Sequence, residues 1–163
     1  GDRPVMLAGA LGLTAGLAAF AVWVAVSGVS WTGLLLAWAG LGLAYSTVLT
    51  PSGRLLRRSA APEDRPALFA AQFAASHACW LVTYPLAGWL MTMGGPVWAS
   101  AVLAVLAAIG LGLALAVWPA GDPEVLAHTH PDLPADHPHL QGRGPHAHAY
   151  RIDGLHREWP RQG

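Results

Sequence analysis

Three His-x-His pairs punctuate the last third of the chain: His128/His130, His137/His139 and His146/His148. They recur every nine residues, and His156 follows. Alternate residues of an extended chain point the same way, so each pair can offer two imidazoles to one ion. Neutral imidazole suits zinc, nickel, copper and cobalt. Asp132, Asp136 and Asp153 stand near enough in sequence to complete a coordination shell. Short His-rich tracts read compositionally as metal-binding; the plain alternative is a solvated tail that takes metal only as a histidine tag does. The expectation is a divalent metal, zinc, nickel or cobalt, held by these seven histidines, with no cofactor required otherwise.

The eighth histidine, His77, lies in an apolar segment with Gln72, Ser76, Cys79, Thr83 and Tyr84. On a helix advancing about 100° per residue these residues and Trp80 fall within one arc of about 160°. Ala74, Ala75, Ala78, Leu81, Val82 and Pro85 occupy the opposite face. Polar groups in hydrocarbon are costly and face protein or a wet cavity. The arc is therefore expected to face inward, with Gln72, Ser76, His77, Thr83 and Tyr84 lining a substrate pathway. Interhelical hydrogen bonding is the competing explanation for Gln72, Ser76 and Thr83. Imidazole carries a proton or ligates a metal near neutral pH, which favours a functional role for His77. Pro85 is placed to kink this helix. Tyr45, Ser46 and Thr47 add a weaker polar signal in the preceding segment.

These side chains need elements to position them, and the composition says which. Of the 163 residues, 54% are hydrophobic and 11% charged, against about 25% charged in soluble domains. A spanning helix needs roughly 20 apolar residues. Residues 5–28, 31–50, 67–93 and 97–118 each supply such a run, closed in turn by Gly28, Pro51-Ser52-Gly53, Gly94-Gly95-Pro96 and Pro119. Pro51 and its neighbours are expected to end the second helix. Gly33, Ala37, Gly40, Ala44, Gly110 and Gly112 are the small residues that let membrane helices approach. The fold class is an all-α membrane protein of four transmembrane helices (residues 1–119) followed by a largely irregular His/Pro-rich tail (120–163). That tail holds seven of the eight histidines and six of the thirteen prolines. Without hydrophobic periodicity it should be mostly disordered in isolation. Tyr150, Ile152, Leu155 and Trp159 are its candidate anchors.

All nine basic residues are arginines, and four of them, Arg54, Arg57, Arg58 and Arg65, sit between the second and third apolar runs. The positive-inside rule makes that link, the N-terminus and the tail cytoplasmic. Trp31, Trp89 and Trp98 then gather at the outer interface and Trp118 at the inner one. The single cysteine, Cys79, excludes an intrachain disulfide.

The stretch Thr50-Pro51-Ser52-Gly53-Arg54-Leu55-Leu56-Arg57-Arg58-Ser59, followed by Asp64-Arg65-Pro66-Ala67-Leu68-Phe69-Ala70-Ala71-Gln72-Phe73, resembles a subset of bacterial major facilitator superfamily permeases. Ser76-His77-Ala78-Cys79-Trp80-Leu81 and Thr83-Tyr84-Pro85-Leu86-Ala87-Gly88 continue the likeness, as does a His-rich tail ending near Trp159-Pro160. Gly1-Asp2-Arg3-Pro4 is similar to the end of the basic loop before the ninth helix of that family. The resemblance implies helices nine to twelve of a twelve-helix permease, in the inner membrane of a bacterium, with both termini cytoplasmic. It also implies a divalent metal ion or a small molecule as exported substrate. Eight helices are missing from the pattern, and the family's site lies between two six-helix halves. The expected partners are thus the lipid bilayer and the absent N-terminal helices, on the same or a partner chain.

Two functions compete. One is part of a secondary transporter whose tail binds metal. The other is a small four-helix anchor or oligomeric module whose tail senses or buffers metal. A carboxylate-driven small exporter is disfavoured, since no Asp or Glu lies within the four runs. A haem bundle would need a second intramembrane histidine. No nucleotide loop, zinc-protease helix or nucleophile elbow is present, so no enzyme is expected. The absence of a basic stripe excludes nucleic-acid binding.

Overall fold

The computed structural model describes residues 1–121, 123–134, 136–140 and 144–158. The chain is mostly helical. It forms α1 (Asp2–Ser27), α2 (Trp31–Ser59) and α3 (Arg65–Val117), then two short strands, β1 (Val125–His128) and β2 (His146–Ala149). All three helices are long and apolar enough to cross a membrane. Their outward surface agrees: Val26, Trp38 and Leu81 are 80%, 77% and 78% exposed. A surface of that kind suits hydrocarbon rather than water.

α3 has 53 residues, which as a straight rod would be about 80 Å long. It is not straight. Gly95 has φ 70° and ψ −164°, outside the helical region, and Pro96 follows with the fixed φ that suits the first helical turn. Ala87 and Met91, before the break, line one apolar cavity with Pro96, Ala99, Ser100 and Leu103, after it. The backbone carbonyl of Trp118 at the far end accepts from Arg3 Nε at 3.1 Å, back at the start of α1. The two arms of α3 therefore run antiparallel about Gly95. Gly94 makes the reversal possible, since a Cβ there would lie 2.0 Å from Trp98 Cδ1.

α1 is the hub: it packs along both α2 and α3, which barely touch each other. Three glycines on one face of α1 set the α1–α2 approach. A Cβ on Gly9 would meet the Ala44 carbonyl oxygen at 2.8 Å, one on Gly12 the Ala44 Cβ at 3.1 Å, and one on Gly16 the Leu41 Cδ2 at 2.9 Å. Of the small residues singled out above, Gly33 packs under Trp23, whereas Gly40, Gly110 and Gly112 face open space.

α2 corrects the expected stop at Pro51. The helix continues to Ser59 with Pro51 buried inside it. A proline removes one i→i−4 hydrogen bond but does not forbid a helix whose flanks hold it. Thr47, Thr50 and Ser52 hydroxyls donate to the carbonyls of Leu43, Ser46 and Leu49 alongside. Arg54, Arg57 and Arg58 are thus helical, the last two in the final turn, where cations complement the helix dipole. Arg54 Nε donates to Asp2 Oδ1 at 3.0 Å, which brings the start of α1, the end of α2 and Trp118 to one end of the bundle. Pro85 likewise lies within α3, and the one residue there with non-helical angles is Gly95.

Among the described residues of the tail, the strands are two short ones. β1 and β2 pair antiparallel, Val125 against Ala149 and His128 against His146. Leu126, Tyr150, His146 and His156 are buried. Tyr150 is the enclosed member of the expected anchor set, Ile152 and Leu155 remain about two-fifths exposed, and Trp159 and Pro160 lie outside the described residues.

Candidate metal centre

The antiparallel register does what the His-x-His spacing alone could not. It sets His128 across from His146 and Leu126 across from His148, so pairs from distant parts of the tail meet. Six of the seven tail histidines converge. His128, His130, His139 and His156 have ring nitrogens all within 4.8 Å of one another, and so do His128, His139, His146 and His148. The two sets share His128 and His139. His137 stands apart: its Nδ1 accepts from the His139 backbone N–H at 3.2 Å, and it joins neither set.

The nitrogen separations are informative. His128 Nε2 lies 3.0 Å from His156 Nε2, and His139 Nε2 lies 3.1, 3.1 and 3.3 Å from the Nε2 atoms of His130, His146 and His148. Zinc–nitrogen bonds of about 2.0–2.1 Å put neighbouring ligand nitrogens about 3.0–3.4 Å apart in octahedral to tetrahedral shells. The second ring nitrogens supply the polarity. His128 Nδ1 faces the Leu126 carbonyl at 3.0 Å, and His148 Nδ1 the Ala149 carbonyl at 2.9 Å. His156 Nδ1 faces Asp153 Oδ1 at 2.9 Å. Each such Nδ1 donates its hydrogen outward, which leaves the lone pair on Nε2. In the neutral form of both rings, the Nε2 atoms of His128 and His156 meet lone pair to lone pair. His139 Nε2, which has one lone pair or one hydrogen, is close to three others. The donor set fits a divalent cation.

Electrostatics point the same way. Burial, together with the charge that neighbouring imidazoles would carry, holds His130, His139 and His146 below the ordinary histidine value, so the neutral, ligating form is favoured. Burial pushes Asp153 up. The backbone N–H groups of His156 and Leu155 and the His156 ring outweigh it and keep the carboxyl below its usual range. Asp153 is thus an orienting partner of His156 and lies outside both nitrogen sets. Asp132 lines an open cavity of about 680 Å³ beside the cluster, and Asp136 is exposed away from both sets. Among the described residues, both sets that could hold an ion are all-imidazole.

The polar arc of α3 divides. Gln72, Ser76 and Thr83 are half-buried on the side nearer the bundle, while His77, Cys79, Trp80 and Tyr84 are exposed. The serine and threonine hydroxyls donate within their own helix, to Phe73 and Cys79 carbonyls. His77 Nδ1 lies 2.8 Å from the Phe73 carbonyl. Its ring lies tilted between those of Phe73 and Trp80, at 3.8 and 4.5 Å, and Trp80 stacks on Tyr84 at 5.9 Å. None of the five pathway candidates lines the apolar cavity of about 420 Å³ between the helices. That cavity, walled by residues such as Phe20, Trp31, Trp38 and Met91, carries no polar pattern in sequence that reasoning could have used.

Long apolar helices folded back on one another, with arginines gathered at one end, define a multi-pass integral membrane protein. The chain matches the Major Facilitator Superfamily over residues 1–148. It belongs to that family, whose members are transporter-type membrane proteins. No curated protein matches it, and no solved structure does.

Proposed function

We propose that the chain is the C-terminal, four-crossing portion of a secondary transporter. It stands as helices nine to twelve of the family fold, with the two arms of α3 as separate crossings. The N-terminus, the arginine end of α2 and the tail face the cytoplasm of a bacterial inner membrane. Arginines in the last turns of α2 and at the start of α3 support that orientation. Further helices, on the same or a partner chain, complete the transport path, to which Gln72, Ser76, His77, Thr83 and Tyr84 contribute. The exported substrate is a divalent metal ion or a small molecule.

The tail holds one divalent cation, zinc, nickel or cobalt, between its imidazoles. The observation that carries this reading is the 3.0 Å approach of His128 Nε2 and His156 Nε2, both with their hydrogens committed to the opposite ring nitrogen. Such a contact needs a proton or a metal cation between the lone pairs, and the four-nitrogen sets gathered around it favour the metal. Calorimetric titration of the detergent-solubilised chain with zinc and with nickel tests it. One ion per chain, bound well above the affinity of a six-histidine tag, is the expected result. Tag-like affinity or several weak equivalents would retire the metal centre.

A further inference from the structure

We propose that the tail cation acts as a clamp: its binding docks the tail onto the connection between α2 and α3, so the ion's occupancy reaches the helix ends. This rests on the metal reading above. The path is short and made of direct contacts. The Tyr150 ring packs against His128 and His156, at centroid distances of 5.0 and 4.7 Å. Its hydroxyl donates to the Glu158 carbonyl at 2.6 Å, and its backbone N–H to the Glu124 carbonyl at 3.1 Å. Glu124 also pairs with Arg58 of α2, Nη1 to Oε1 at 3.3 Å. Two residues beyond Tyr150, the Ile152 N–H donates to the Ser59 carbonyl at 3.3 Å, and Ile152 forms a parallel bridge with Ala60. Asp153, next in sequence, accepts the N–H groups of Leu155 and His156 at 2.8 Å each and holds the His156 ring.

Ligand and docking point are thus four residues apart, joined by one carboxylate that sets the ligand and is set by the same turn. A tail with this little buried apolar surface cannot order itself by burial alone. Metal binding to a site assembled from distant residues is folding free energy for that site. An undocked tail, free to reorient around Ile152, presents His156 poorly, so the cation binds the docked state better. That differential affinity is what shifts the population, and the coupling is reciprocal. A crevice of about 310 Å³ separates the docked tail from the helix ends, between Leu55, Arg58 and Trp118 on one side and Glu124, Tyr150 and Arg151 on the other.

The test uses the full chain in lipid nanodiscs, with hydrogen exchange followed on peptides covering residues 58–62 and 150–156. Zinc affinity is measured in parallel by competition with a chromophoric chelator. In the wild type, zinc should slow exchange in both peptides at least threefold. Ala60→Arg leaves the tail sequence untouched and fills the docking point; Ile152→Pro removes the docking N–H. Each should abolish the zinc-dependent protection of residues 58–62 and weaken zinc binding about twofold, the most that losing the set containing His156 can cost while the other set stands. Wild-type zinc affinity in both variants, with no zinc effect on residues 58–62 in the parent, would overturn the clamp and leave the metal centre standing. Zinc binding no better than a histidine tag in the parent would overturn the metal centre, and the clamp with it.

Discussion

Single alanine substitutions through the tail histidines should not cost equally, and the inequality follows from the geometry. The two four-nitrogen sets share His128 and His139, so one ion at a time is held, in either of two ways. Removing His139 or His128 leaves three imidazoles in both sets. Loss of an outer orienting partner alone costs 10- to 100-fold in affinity, so loss of a shared ligand should cost about 100-fold or more, about 2.7 kcal/mol. His130→Ala and His156→Ala each spare the set containing His146 and His148. If the two sets are equal, losing one costs about twofold, or about 0.4 kcal/mol. Asp153→Asn acts through His156 and should cost no more than His156→Ala. His137→Ala should do nothing. Competition with a chelator of known zinc affinity, on the full chain, measures all of these on one scale. Equal small losses at every position, or a loss at His137 matching that at His139, would refute the shared-ligand geometry.

Gly9→Ala should destabilise the α1–α2 contact by about 1–3 kcal/mol, the cost of overpacking. Its new Cβ would press on the Ala44 carbonyl oxygen and on Val48 N at 2.8 and 3.0 Å, backbone atoms that cannot swing away. Gly53→Ala, with nothing within 4 Å, is the control, and thermal unfolding in detergent compares the two. Without metal, tail order should decline on acidification. His130, His139 and His146 are held below the ordinary value when folded, so the folded tail binds fewer protons than the unfolded one. Their contribution is complete above about pH 6.5 and falls away as pH drops through the lowered values; hydrogen exchange of the β1–β2 segment against pH reads this out, and increasing protection below pH 6 would contradict it. His77→Ala should lower transport by the complete transporter while leaving membrane insertion intact. Unchanged transport would make His77 a structural residue that lies between Phe73 and Trp80.

Membrane character, long apolar helices and the family were legible because hydrocarbon imposes a strong length and composition signal. The end of α2 was not: proline propensity argues for a stop at Pro51, but the helix runs on to Ser59, with Arg54 beyond the proline held by Asp2 of α1. The α1 seam did have a signal, since Gly12 and Gly16 are four apart and Gly9 one turn earlier. Ala44, their partner on α2, was singled out in the sequence, and the glycines facing it were not. At the metal centre, residue types and spacing were readable, but convergence was not. Antiparallel pairing decides which imidazoles meet, and it joins positions twenty residues apart through backbone hydrogen bonds that leave no mark in composition. His137 shows the limit, since its spacing is identical to that of its neighbours and its placement is not.

The reversal at Gly95 has a practical side. At the end of the bundle away from the tail, α1 and α2 are joined by three residues, 28–30, and the arms of α3 by a single glycine. Almost no backbone there is free of helix, and Gly95 sits at a φ that other residues rarely adopt. Insertions succeed at exposed loop tips, and this end offers only the short exposed link at 28–30. An epitope, a protease site or a fluorophore cysteine placed elsewhere at that end would have to break a helix turn. The connection at 60–64, on the tail side, is the position with slack, although Ala60 itself is spoken for by the tail. Labelling strategies that need a handle free of helix are best served by that connection.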